Sequence, residues 1–537
     1  MSSKVHLNQA IVSHLIEIKA DDKPDKEILV FENGEQGEDI LTYKDLYENS
    51  NKIARLFLEN GLGKGDTYAV FMRNHPEFVY ALLAGPVIGA VMVPIDPRSR
   101  GERLRFLLEN SGAKAVLVSG ELLAQLEAVL DRVPNIKLVS VAYRPEQGVA
   151  VSSDHPALNE TLAKDSWDTV EQQIMDVRQP MQIIYTSGTT GDPKGVMVRN
   201  NRFGLYNIAT RLVWKYKPGD ILYTGLSLTH GNAQAVTLFP CLSTGTRAVI
   251  SARFTRSRIW DISRKYGCTS FSLLGGMMSG IFNQPAQEND RDNPVKTVIS
   301  AGTPAVIWED FEKRFDVKIL EWYAAVEGGF AYKPPGKGPL GSFGKPLPGM
   351  MEFKVVDEND DALADGETGE LVIRMTRGET KVDYHGLPEA SREKTRGGWL
   401  RTGDLVRRDP DGWYFFQCRK GSELRRAGDF IQPDHIEKVI GEHPDVSEVC
   451  VYGIPAASGA PGESDLVAGI APFDGRTIDP ASIYEKCKGD LESNFIPSYL
   501  QVVARIPKTI SEKALDRVLR KDFSVDGDNV YRLEDYR

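Results

Sequence analysis

Met181-Gln182-Ile183-Ile184-Tyr185-Thr186-Ser187-Gly188-Thr189-Thr190-Gly191-Asp192-Pro193-Lys194-Gly195 sets an apolar run directly before a loop of glycines and hydroxyls that ends in a lysine. Met181 to Ile184 reads as a buried strand, since a short apolar run bounded by turn residues suits a sheet covered on both faces. In the loop, Gly188, Gly191 and Gly195 let backbone N–H groups turn toward an anion. Ser187, Thr189 and Thr190 add hydroxyl donors and Lys194 a compact positive charge. A strand leading into such a loop predicts an α/β protein that holds a nucleotide polyphosphate, and ATP is the expected nucleotide. The loop is not a Walker A motif. Counted from Gly188, Pro193 stands where the second glycine belongs, and Gly195 follows Lys194 in place of Ser or Thr.

Outward from this loop, apolar strand-like runs alternate with amphipathic helical stretches. Tyr68–Met72 reads as strand, Glu102–Glu109 as helix, Ala115–Val118 as strand and Leu122–Val133 as helix, with the rhythm starting near Leu41 and continuing through Val298–Ser300. After Gly349 the texture changes to short strands punctuated by turns, which predicts a β-rich subdomain. Beyond Gly421 the remaining segment reads as a small α+β domain. At 537 residues the chain is too long for one core. The expected architecture is therefore α/β: a large N-terminal domain, residues 1–420, of two α/β subdomains plus the β-rich one, and a small C-terminal domain, residues 421–537.

A net charge of -10 and a pI near 5.5 argue against a nucleic-acid partner, which needs a basic stripe. Five widely spaced cysteines without a CxxC suggest neither a disulfide scaffold nor a zinc site, and point to a reduced, cytoplasmic compartment. Met1–Ala20 lacks the long apolar core of a signal peptide. Phe78–Ile95 carries no charge, but Gly85, Pro86, Gly89 and Pro94 break it into a short helix and a strand, so no transmembrane span is expected. Peripheral membrane contact and a homodimer are both compatible with the sequence, which fixes neither.

The loop string resembles the core signature of the adenylate-forming superfamily, which includes acyl-CoA synthetases, peptide-synthetase adenylation domains and luciferases. The resemblance covers nearly the whole chain, with further motifs in the family's order. Glu321-Trp322-Tyr323-Ala324-Ala325-Val326-Glu327-Gly328 is similar to the family's aromatic-Gly-x-Thr-Glu segment; it implies Tyr323 against adenine and Glu327 on Mg²⁺, with Ala324 and Val326 as departures. Thr402-Gly403-Asp404 resembles the motif whose aspartate accepts from both ribose hydroxyls, a task suited to an acceptor-only carboxylate. Arg419 matches an arginine aimed at the nucleotide, and Gly421 the hinge two residues later, where glycine tolerates the φ/ψ change of a domain rotation. Ser300-Ala301-Gly302-Thr303-Pro304 resembles the AMP-facing loop.

Pro507-Lys508-Thr509-Ile510-Ser511-Glu512-Lys513 resembles a Pro-Lys-Thr-x-Ser-Gly-Lys motif and makes Lys513 the cation on the substrate carboxylate and α-phosphate, with Glu512 replacing glycine. The acyl pocket is expected from His230, Asn232, Gly275, Gly276 and Met277, the two glycines either leaving room for a bulky acid or serving close backbone packing. Glycine at position 421 makes the chain similar to the fatty-acid-transport, very-long-chain and carnitine-type CoA ligases. The implied reaction is AMP-forming acid–CoA ligation with ATP, Mg²⁺ and coenzyme A. Thr186, Lys194, Glu327 and Lys513 are its catalytic set, and a mobile C-terminal lid brings Arg425, Arg426 and Gly428 to the CoA half-reaction. Two alternatives stay open on the sequence: an adenylation enzyme loading a carrier-protein phosphopantetheine, and a non-catalytic nucleotide-binding regulator.

Overall fold

The computed structural model describes residues 7–144, 154–186, 193–420, 424–426, 429–431, 433–457, 464–491, 494–509 and 514–536. A six-stranded sheet runs in the order Leu138–Ala142, Ala115–Ser119, Thr67–Phe71, Val91–Pro94, Pro180–Thr186 and Lys194–Arg199. Its first five strands are parallel and the last is antiparallel. Helices cover it, and Ala115–Ser119, Val91–Pro94 and Leu138–Ala142 are buried along their whole length, as two-sided covering requires.

A thirteen-stranded sheet forms the second layer system. Its parallel part contains Glu27–Glu32, Arg247–Ser251, Ile221–Thr224, Ser270–Leu274, Thr297–Ala301 and Lys318–Ala325. Beyond Lys318–Ala325 the pairing turns antiparallel and continues through Gly328–Lys333 and Ser342–Pro346 into Tyr414–Arg419, Leu400–Arg408, Thr368–Met375 and Met351–Val356. The β-rich subdomain is thus hydrogen-bonded onto the second α/β sheet through Ser342–Pro346, which pairs on both sides. One apolar core, including Phe57, Phe78, Phe203, Phe239 and Phe271, binds the two large sheets together. A separate four-stranded sheet of Val446–Pro455, Ser464–Pro472, Tyr499–Val502 and Val530–Arg532 carries helices Pro433–Gly441 and Pro480–Asp490 over a core of its own, around Ile436, Leu466, Ile470 and Tyr484.

Two expectations need correction. Glu27–Glu32 lies before the predicted start of the α/β rhythm and is a strand, seated between Arg247–Ser251, distant in sequence, and the next strand Glu38–Thr42. The uncharged stretch also does not break at Gly85 and Pro86. The helix Pro76–Ile88 runs through both and ends only at Gly89, whose φ of 77° is left-handed. Pro86 stands in the helix's last turn, so little helix remains beyond the hydrogen bond its ring removes. Among the described residues, no helix is long and apolar enough to cross a membrane.

Candidate active site

Parallel strands in both large sheets end at one crevice: Pro180–Thr186 in the first sheet, and Ser270–Leu274, Thr297–Ala301 and Lys318–Ala325 in the second. Open α/β sheets bind ligands outside such carboxyl ends. Thr186 pairs across an antiparallel hairpin with Lys194, so the glycine-rich segment joins two strands and no helix N-terminus follows it. Thr186 Oγ1 lies 3.5 Å from the Lys194 carbonyl oxygen. Ser187, Gly188, Thr189, Thr190 and Gly191 lie outside the described residues, as do Lys513, Gly421 and Gly428.

Lys194 places its ammonium 5.4 Å from the ring centroid of Tyr384. The Tyr384 hydroxyl donates to Glu327 Oε1 at 3.0 Å. Burial and the Glu327 carboxylate raise the Tyr384 phenol, so it remains a donor through the neutral range. Tyr384 carries no local sequence signal. It arrives because Met197 donates to the Asp383 carbonyl at 2.8 Å and His385 to that of Gly195 at 2.8 Å, which adds this short segment to the hairpin's edge.

Asp404 and Arg419 stand directly opposite each other on adjacent antiparallel strands, with Arg419 Nε 2.9 Å from Asp404 Oδ1. The Tyr323 hydroxyl donates to the other oxygen, Oδ2, at 2.5 Å. Both oxygens of this buried carboxylate are thus held by donors, and an acceptor-only group suits a hydroxyl-bearing ligand. Tyr323 packs its ring 4.7 Å from Phe343. Arg419 Nη1 and Lys394 Nζ share the Thr402 carbonyl, at 3.0 Å and 3.4 Å. Burial lowers the pKa of Lys394, a cation the motifs did not single out, and the Glu327, Glu370 and Asp404 carboxylates pull it back up.

Ala301 closes its strand, and Gly302 follows with φ 78°. Glu321 accepts from the Gly302 amide at 2.6 Å, the Thr303 amide at 3.3 Å and the Thr303 hydroxyl at 2.5 Å. The loop is thus shaped by a buried acid that the motif did not single out, and the Thr303 hydroxyl is engaged inside the protein. Burial pushes Glu321 up to about 8 against these donors. Lys333, opposite Glu321 across the strand pair, has its own pKa lowered by burial.

The expected acyl residues separate. His230 is half-buried and accepts from the Asn232 backbone N–H through Nδ1 at 3.2 Å; burial lowers its pKa to about 4, so the ring is neutral. Asn232 is buried at the start of the π-helical turn Ala233–Leu238, a rare conformation frequent at functional sites. Gly275 does not make room for a bulky acid: a Cβ there would meet the Gly302 carbonyl oxygen at 1.9 Å, so its role is close backbone approach. Gly276 is exposed, and Met277 is 1% exposed inside the main core. Arg426 donates to the Ile496 carbonyl within its own domain, and the Arg425 backbone pairs with Phe430. A recess of about 540 Å³ lies elsewhere, lined by Asn33, Glu77, Tyr80 and Arg144, where Arg144 bridges Glu77 and Asp39 at 2.8 Å each.

The residues fit a polyphosphate-bound Mg²⁺: Glu327 offers one oriented carboxylate, and this hard ion takes one or two protein oxygens with phosphate and water. The crotonobetaine/carnitine–CoA ligase of Salmonella typhimurium is 27% identical over 508 residues, covering 92% of this chain and 96% of the relative. An anthranilate CoA ligase solved with anthranoyl-AMP superposes with a TM-score of 0.81 at 21% identity, covering 97% of this chain and 98% of that one. A benzoate CoA ligase from Burkholderia xenovorans LB400 gives 0.80 at 21% identity, with 95% and 99% covered. The sequence model of the AMP-binding enzyme C-terminal domain matches residues 435–513. Because the AMP-binding enzyme model itself matches residues 16–378, well over half of the length, the chain belongs to the family of AMP-binding enzymes.

Proposed function

We infer that the chain is an ATP-dependent, AMP-forming acid–CoA ligase that works in two half-reactions. The observation that carries this reading is a pair of contact runs, Lys194 to Tyr384 to Glu327 and Tyr323 to Asp404 to Arg419, with Lys394 and Arg419 both donating to the Thr402 carbonyl. The first run suits a polyphosphate and the α-phosphate with its metal, and the second a ribose with its base. In the first half-reaction a carboxylate oxygen of the acid attacks the α-phosphorus, the bond to the β-phosphate oxygen breaks, and pyrophosphate leaves an acyl-adenylate. The Thr186–Lys194 hairpin holds the polyphosphate and Asp404 the ribose hydroxyls. Glu327 would hold Mg²⁺, which would supply charge neutralisation. Lys513 neutralises the attacking and attacked oxygens, since fixed charges aimed at developing charge are a large part of such catalysis.

In the second half-reaction the CoA thiolate attacks the acyl carbon, the bond to AMP breaks, and the thioester and AMP are released. Residues 421–537 act as the moving lid, with the hinge at Gly421 and the face of Arg425, Arg426 and Gly428 turned inward. The acid is fatty, cyclic, aryl or carnitine-like in class. The acidic charge and buried thiols support a reducing, cytoplasmic setting. The test is AMP and pyrophosphate release over a panel of carboxylic acids, with and without CoA. Pyrophosphate should require only an acid, and the thioester should require CoA as well. Lys513→Ala should lower acyl-adenylate formation ~10²–10³-fold while sparing thioester formation from supplied adenylate. Failure of every acid to release pyrophosphate rejects the reading.

A further inference from the structure

Asn232 is 5% exposed, and neither its amide nitrogen nor its amide oxygen has a hydrogen-bond partner. Among the described buried amides it alone has both atoms unmet. Buried polar groups are nearly always paired, and one left unmet in a native fold asks for an explanation. Asn232 stands one helical turn before Val236 and so shares its face. On that face Val236 and Ala235 pack with Ile299, Leu320, Trp214 and Trp322, with Ala301 at the margin. Trp214 and Trp322 meet edge to face at 5.3 Å, and Phe330 lies 5.8 Å from each.

This aromatic block also has unmet donors of its own: Nε1 of Trp322 and Nε1 of Trp214 lack acceptors although the two residues are only 6% and 7% exposed. Buried tryptophan N–H groups usually find a partner. Trp322 directly precedes Tyr323, so the two side chains leave opposite faces of one strand, with Tyr323 turned to Asp404. The Trp322 indole therefore lies across the strand from the nucleotide cluster, in the buried cluster against which Ala301 packs. None of the unmet groups carries a formal charge, and neutral dipoles match a neutral oxygen better than a second carboxylate or an ammonium.

We propose that this face reads a neutral oxygen substituent, a hydroxyl or carbonyl, on a compact carboxylic acid, with Asn232 and Nε1 of Trp322 as the specificity-determining groups. The inference rests on the ligase reading and narrows its substrate class. A site built to hydrogen-bond a substituent rejects the analogue that lacks it, because its own buried groups then stay unpaired.

The experiment is acid-dependent ATP–pyrophosphate exchange by the full-length chain on matched pairs: benzoate with 4-hydroxybenzoate, cyclohexanecarboxylate with its 4-oxo analogue, and butyrate with 3-hydroxybutyrate. The expected result is at least one pair in which kcat/KM favours the oxygenated acid by ~10²-fold or more. In Asn232→Leu that ratio should fall below about tenfold, with the KM for ATP moving far less than the KM for the acid. Trp322→Phe deletes the N–H and keeps the ring; it should lower the ratio in the same direction and carries the comparison alone where Asn232→Leu does not fold. Hydrocarbon acids used as well as or better than their partners in every pair overturn the inference, as does a ratio that survives the substitutions. Exchange with no acid of either kind overturns the ligase reading itself, an outcome distinct from both.

Discussion

Tyr384 shows how one hydroxyl can organise charges that sequence places far apart. Its ring lies beneath Lys194 and its O–H holds Glu327. Tyr384→Phe keeps the ring and removes only a hydrogen bond to a charged group, an interaction worth ~1.5–3 kcal/mol. We expect kcat/KM for Mg-ATP to fall ~10–100-fold in pyrophosphate exchange, with a higher Mg²⁺ concentration needed for half-maximal ATP binding by calorimetry. An unchanged Mg²⁺ requirement would show that Glu327 is oriented by something else. Glu321 gives a pH prediction. Its folded pKa is raised to about 8, well above that of an exposed glutamate, so the native state retains a proton that the unfolded chain has released. Stability is therefore fullest below the unfolded value, near 4.3, and is lost as pH rises toward about 8, by at most ~1.4 kcal/mol per pH unit. Thermal unfolding of Glu321→Gln between pH 5 and 9 should show a flatter profile than the parent chain. A parallel pair of profiles would remove Glu321 as the cause.

At the scale of elements, the crevice depends on strand ends and on the close approach of two loops. Gly275 opens the helix Gly275–Phe282 against the Gly302 carbonyl, where no Cβ fits. Gly275→Ala should force the two loops apart and cost ~1–3 kcal/mol, read as a lower denaturation midpoint together with weaker ATP binding. Gly280, in the same helix, meets nothing nearer than Arg256 Cδ at 3.8 Å, so Gly280→Ala should be neutral or stabilising by up to ~1 kcal/mol. Equal effects of the two substitutions would show that helix propensity, not loop contact, governs the site. The antiparallel hairpin that carries Thr186 and Lys194 has the same logic: its register puts both residues at the mouth of the glycine-rich segment.

For the whole molecule, the junction of the two lobes is polar. Glu448 of the C-terminal domain pairs with Arg256 of the N-terminal domain at 3.1 Å and with its own domain's Lys508 at 2.8 Å. Arg98 donates to the Lys508 carbonyl at 3.0 Å, and Lys438 to that of Val306 at 2.8 Å. Lys508 in turn pairs with Ala514. Partly exposed ion pairs are worth little singly. Glu448→Ala should therefore slow pyrophosphate exchange only ~2–10-fold, and should leave thioester formation from supplied acyl-adenylate unaffected. Equal loss in both half-reactions would make Glu448 a general stabiliser. The sequence by itself determined the α/β class and the family, and singled out Glu327, Asp404 and Arg419 as candidates, because strand periodicity and short motifs are local properties of the chain. Only the tertiary structure decided that Tyr384, Lys394 and Glu321 join them, that Gly275 and Met277 serve packing, and that Glu27–Glu32 sits beside Arg247–Ser251. Those outcomes depend on which surfaces meet when two sheets share a core, and the pairing of surfaces distant along the chain leaves no mark in any short stretch of residues.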